Sequence, residues 1–218
     1  MKQSLETLKH LSKATLVKWL LFLGVVYAVY DAVYVRANDK KLMLDMADVS
    51  GGLVTKMFIN IDLPLLVVGI LVCVMFDRRR TLSALAIRTK RQMLWLVVGA
   101  VVFVLAVYVS RPTGSVGAYE IVQALLVFGV LEELIFRGLL FTWMERAGCG
   151  VFAYLLSGLA WGAHYAIRAI VASGTATLWA VLPVAVFGVF GGAVAAWLYK
   201  KSDSLWLVAY LHGALSLL

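Results

Sequence analysis

Two long uncharged apolar runs, Gln92 to Ser110 and Ala147 to Ile167, limit what this chain can fold into. A helix needs about 20 mostly apolar residues to cross about 30 Å of hydrocarbon, and both runs are of that order. A third uncharged run, Ala169 to Tyr199, is too long for one span at about 1.5 Å per residue, so part of it lies outside the hydrocarbon. Ser173-Gly174-Thr175 reads as its loop. Spans are therefore expected at about 16–35, 57–76, 93–110, 118–143, 150–170, 177–199 and 204–218, giving an all-α polytopic membrane bundle of about seven transmembrane helices. Composition agrees: 63% of the 218 residues are hydrophobic and 15% charged, with a mean hydropathy of +0.93. A water-soluble domain carries about a quarter charged residues, so soluble and disordered readings fail. Collagen-like and disulfide-scaffold readings fail too, because the glycines show no three-residue period and the only cysteines are Cys73 and Cys149.

The formal charge of +8 is gathered in short clusters between the apolar stretches. Cytoplasmic loops of a membrane protein carry charge in this way, whereas a nucleic-acid binder would gather it on one face. The basic lead Lys2, Lys9 and Lys13 precedes the first span without a small-residue cleavage site, so that span reads as a retained helix. With the amino terminus cytoplasmic, thirteen Lys and Arg fall in inside segments and six outside, which favours that orientation. A cell or inner membrane is the expected location, no retention signal being present at residues 215–218. The basic segment 77–91 reads as a positive-inside loop, with an amphipathic stretch on anionic headgroups as the alternative. Neither repeats nor low-complexity tracts occur. The expected organisation is one integral membrane domain, with amino-terminal helices over 1–117 and a functional core over 118–218.

An ionisable group at bilayer depth costs about 2.5–3.5 kcal/mol and persists when it has a partner or a task. Lys56, Asp62 and Asp31 stand near expected span ends and are read as boundary residues reaching the interface. Five others lie within spans: Glu132, Glu133, Arg137, His164 and His212. Glu133 and Arg137 are four apart, on one helical face, where the arginine can neutralise the acid. Glu132 points about 100° away and is the carboxylate left to accept a proton. His164, His212 and Glu132 are expected at similar depth. Such a set permits hydrolysis, in which a carboxylate takes a proton from water while two imidazoles either hold a metal or donate to the oxyanion. Zinc on Glu132, His164 and His212 is possible in ligand type but lacks a local His-Glu-x-x-His spacing, so a divalent metal stays open. Serine catalysis is weaker, since neither Ser157 nor Ser216 has an identified base. A proton-coupled transporter would need an inverted repeat or broken helices, and neither is legible.

These residues resemble the CPBP intramembrane protease family, which includes the type II CAAX prenyl endopeptidases and bacteriocin-processing or immunity proteins. Glu132-Glu133 followed by Arg137 matches its first motif, with Phe136-Arg137-Gly138 also typical, and His164 and His212 occupy the histidine positions of its second and third. The stretch from Phe187-Gly188 to Trp197-Leu198-Tyr199, then Ser204-Leu205-Trp206, is similar to the family's last core helices. The resemblance covers about 118–218 and implies a CAAX-protease-like core with a site sunk below the cytoplasmic surface. It assigns Glu132 to water activation, His164 and His212 to transition-state stabilisation, and Glu133 and Arg137 to orientation. The implied partners are membrane lipid and a membrane-associated polypeptide substrate, with nothing that reads a lipid tail. In two places the chain departs from the pattern. Ala160 stands where an aromatic is usual, with Trp161 one position late, and Ser216 stands where asparagine is usual. A serine hydroxyl supplies one donor against the amide's two. A non-proteolytic scaffold or immunity-like protein is the alternative reading.

Overall fold

The computed structural model describes residues 6, 11–29, 52, 55–56, 62–110, 117–173 and 177–218, and every element among them is helical. In chain order these are α1 Lys13–Val26, α2 Asp62–Leu85, α3 Lys90–Ser110, α4 Ala118–Gln123, the π-helical segments π1 Ala124–Leu131 and π2 Leu134–Phe141, α5 Thr142–Arg146, α6 Val151–Ser173, α7 Leu178–Ser202 and α8 Leu205–Leu217. The spans expected at 93–110, 150–170, 177–199 and 204–218 each fall on one helix. The span expected at 118–143 is a run of α and π turns. Those expected at 16–35 and 57–76 fall partly outside the described residues, and Asp31 lies wholly outside them.

Local chemistry sets several of these boundaries. Thr89 and Gln92 form a capping box at the start of α3: the Gln92 amide N–H donates to Thr89 Oγ1 at 3.1 Å, and the Thr89 N–H donates to Gln92 Oε1 at 3.2 Å. Ser204 caps α8, its hydroxyl accepting from the Leu207 amide at 3.4 Å. The 77–91 segment, expected as a loop, is helical as far as Leu85. Its break is confined to Asp77, whose backbone is extended at φ −161° and ψ 82°. The Asp77 carboxylate accepts from the Arg80 amide at 3.0 Å, so it caps a second helical piece after the apolar part of α2.

Among the described residues two helices, α3 over Lys90–Ser110 and the Val181–Ser202 part of α7, are long and apolar enough to cross a bilayer, with mean hydropathies of 2.5 and 2.1. Only 22% and 17% of their apolar windows are buried, whereas the core helix of a soluble protein would be mostly covered. Val104, Leu105, Val109, Phe187, Phe190 and Val194 all stand exposed along them. Apolar surface on this scale calls for lipid, and the chain is a membrane protein.

The chain forms two compact units, one from Met1–Arg36 with Phe136–Trp197 and the other from Ala37–Ile135 with Leu198–Leu218. Within the first, Phe22 of α1 meets Trp143 edge-on at 5.0 Å, and Lys18 lies 4.0 Å over the same indole. Close contact of α6 with α7 rests on glycine: a Cβ on Gly162 would meet the Ala185 carbonyl at 2.7 Å, and one on Gly188 would meet the Gly162 Cα at 2.7 Å. In the second unit, Phe103, Ala106, Ala124 and Ala214 form a core with Val107, Ile121 and Leu125 packed against it. There π1 and α8 lie backbone to backbone, since a Cβ on Gly129 would meet the Ala209 carbonyl at 2.5 Å and one on Gly213 the Ala124 carbonyl at 2.9 Å.

Candidate active site

Glu132 and Glu133 occupy the joint between two π-helical segments. The Glu132 amide donates to the Val127 carbonyl five residues back and to Gly129. Wider turns of this kind re-aim side chains and recur at functional sites. Both glutamates are fully buried, and His212 is 6% exposed. The antiparallel approach of α8 to π1 brings the imidazole to them: His212 Nδ1 lies 2.9 Å from Glu133 Oε1, and Nε2 lies 3.7 Å from Glu132 Oε2. With Glu133 as a carboxylate, which only accepts, Nδ1–H is the donor to it, and Nε2 is the ring atom turned toward Glu132. One imidazole therefore addresses both acids, through different nitrogens.

Ser216 lies one turn beyond His212 and is exposed at its surface. Its hydroxyl donates to the His212 carbonyl at 3.0 Å, a bond within its own helix. The single donor that serine supplies in place of an amide is directed to the backbone.

Arg137 and His164 belong to the first unit. Arg137 is fully buried; its Nη2 donates to the Gly192 carbonyl at 3.2 Å, and its guanidinium lies 4.5 Å over Trp161. The aromatic that comes one position late in the motif thus stacks on the motif's arginine. The ring of His164, also fully buried, lies 5.5 Å from Phe136 and 5.4 Å from Tyr165. Backbone carbonyls of π2 find side-chain donors: Ser157 Oγ donates to Phe136 O at 3.3 Å, and Thr142 Oγ1 donates to Arg137 O at 3.0 Å.

Asp62, expected as a boundary residue reaching the interface, lies instead in the interior. It is fully buried, and Tyr119 OH donates to its Oδ2 at 2.5 Å while Gln123 Nε2 donates to its Oδ1 at 3.0 Å. Gln123 Nε2 also donates to Tyr119 OH at 2.9 Å, closing a triangle within the second unit. Burial is tolerable because both carboxylate oxygens receive donors. The signal available in the sequence was the spacing of Tyr119 and Gln123, four apart and hence on one helical face.

Among the described residues no group of three or more His, Cys, Asp or Glu side chains is disposed to hold a metal ion. Compared with known proteins, residues 114–218 match the family model of the type II CAAX prenyl endopeptidase Rce1-like proteins. No curated protein and no solved structure matches the chain.

Proposed function

From the match of residues 114–218 to the Rce1-like type II CAAX prenyl endopeptidase family model, we propose that the chain is an intramembrane endopeptidase cutting a membrane-associated polypeptide. The observation that carries this reading is the 2.9 Å bond from His212 to Glu133, which leaves Nε2 turned toward Glu132. Glu132 acts as general base, taking a proton from water as the water oxygen bonds to the peptide carbonyl carbon. The carbon–nitrogen bond then breaks, and the proton passes to the departing amine. His212 stabilises the oxyanion, and Glu133 is a positioning residue that fixes its ring. By the family's second motif His164 shares in that stabilisation, and Arg137, held against Trp161 and Gly192, orients the motif helix.

The remaining parts of the proposal concern placement. Seven helices span the membrane with the amino terminus cytoplasmic, residues 1–117 supply the amino-terminal helices, and 118–218 supply the catalytic core. The chain resides in the cell or inner membrane, with lipid and a peptide substrate as partners.

The experiment is cleavage of a membrane-anchored peptide by the full chain in proteoliposomes. Glu132→Gln keeps size and hydrogen bonding but removes the base, so cleavage is expected to fall at least about 100-fold, within the range of general-base catalysis. Undiminished cleavage removes Glu132 from its role. A second reading, a membrane scaffold without proteolysis, is favoured by the exposed Ser216 and its bond to the His212 carbonyl. It predicts a cellular phenotype unchanged by Glu132→Gln.

A further inference from the structure

The second unit carries a polar pocket of about 210 Å³, lined by Arg80, Ser83, Arg88, Thr89, Tyr199 and Asp203 among others. At about 30 Å³ for each water it holds roughly seven waters, room for a phosphate and part of what the phosphate is attached to. Its walls come from the charged end of α2, the connection at 86–89, the start of α3 and the end of α7.

Those walls are tied to one another. Arg80 Nη2 donates to Tyr199 OH at 2.9 Å, Gln92 Nε2 donates to the Asp203 carbonyl at 2.7 Å, and Arg91 donates to the Lys201 carbonyl. The one carboxylate in the lining, Asp203, accepts from Gln92 Nε2 at 3.2 Å. Two arginines against one acid leave the lining cationic. Arg79, Lys90, Arg91, Lys200 and Lys201 all stand exposed close by in sequence, and the other acid near them, Asp77, caps the Arg80 amide. Planar guanidinium groups suit phosphoryl oxygens, and Ser83, Thr89 and Tyr199 add hydroxyls around them.

Depth points the same way. The apolar run of α3 starts at Met93, directly after the pocket residue Gln92, and α3 is long and apolar enough to cross a bilayer. Headgroup phosphates lie at that junction.

We propose that this pocket is a phosphoryl-binding site, occupied by the headgroup phosphate of an anionic phospholipid or by free phosphate. The site stands apart from the proteolytic reading and holds whether or not Glu132 is a catalytic base.

The test uses the full chain in neutral detergent micelles. Native mass spectrometry reads retention of phosphatidylglycerol against phosphatidylcholine, and thermal unfolding reads the effect of inorganic phosphate. Arg88→Gln removes an exposed lining charge, and Arg79→Gln removes an exposed charge outside the pocket. Selective retention of phosphatidylglycerol, weakened about fivefold by Arg88→Gln and left intact by Arg79→Gln, is the result expected of a lipid source. Stabilisation by inorganic phosphate that Arg88→Gln abolishes, without lipid selectivity, keeps the site and assigns free phosphate. Equal losses in both variants, or neither selectivity nor stabilisation, overturn the proposal.

Discussion

His212 joins two carboxylates that a helical-wheel reading separates by about 100°. Glu132, Glu133 and Arg137 were legible in the sequence because charge inside an apolar run costs free energy unless it is paired or put to use. That Glu133 bonds to His212 was not legible, because 79 positions separate them and only the packing of α8 on π1 closes the gap. Asp62 was misread for a related reason, since its donors Tyr119 and Gln123 come from a distant helix. Removing one donor from a buried carboxylate is costly, so Tyr119→Phe is expected to destabilise the protein by about 1–3 kcal/mol, read as a lowered Tm in detergent. Cys149 gives a pH prediction. Burial pushes its thiol above the ordinary value, so its thiolate is scarcer than that of a free thiol at any given pH. Alkylation of Cys149 in the folded chain is expected to be negligible near neutral pH and to grow only as the pH rises past the range of an ordinary thiol. Rapid labelling near neutral pH would contradict the burial.

The helices over 90–110 and 205–217 were legible because an apolar run stands beside charge at Arg91 and Asp203. Two features left no mark on composition. Asp77 bends α2 through a backbone setting that any residue can adopt, and the π turns of 124–131 and 134–141 read as ordinary helix. The π1 and α8 pair depends on Gly129, whose missing side chain lets the Ala209 carbonyl approach. Gly129→Val forces these backbones apart and is expected to cost about 1–3 kcal/mol. Because α8 carries His212, cleavage is expected to fall more steeply than the folded fraction. A parallel fall in both would reduce Gly129 to a packing residue.

The proposed topology is tested by accessibility across the membrane. In a variant lacking Cys73 and Cys149, Lys201→Cys is expected to react with an impermeant maleimide from the cytoplasmic side only and Lys40→Cys from the opposite side only. Labelling of both from one side removes the orientation. Neither compact unit is continuous in sequence, since each gathers stretches from both sides of the other. For a chain made in one direction this imposes a delay. At about 5–20 residues per second, the 79 positions between Glu133 and His212 correspond to about 4–16 s of synthesis. During that interval two glutamates have entered the nascent protein while the imidazole that bonds to them has yet to be translated.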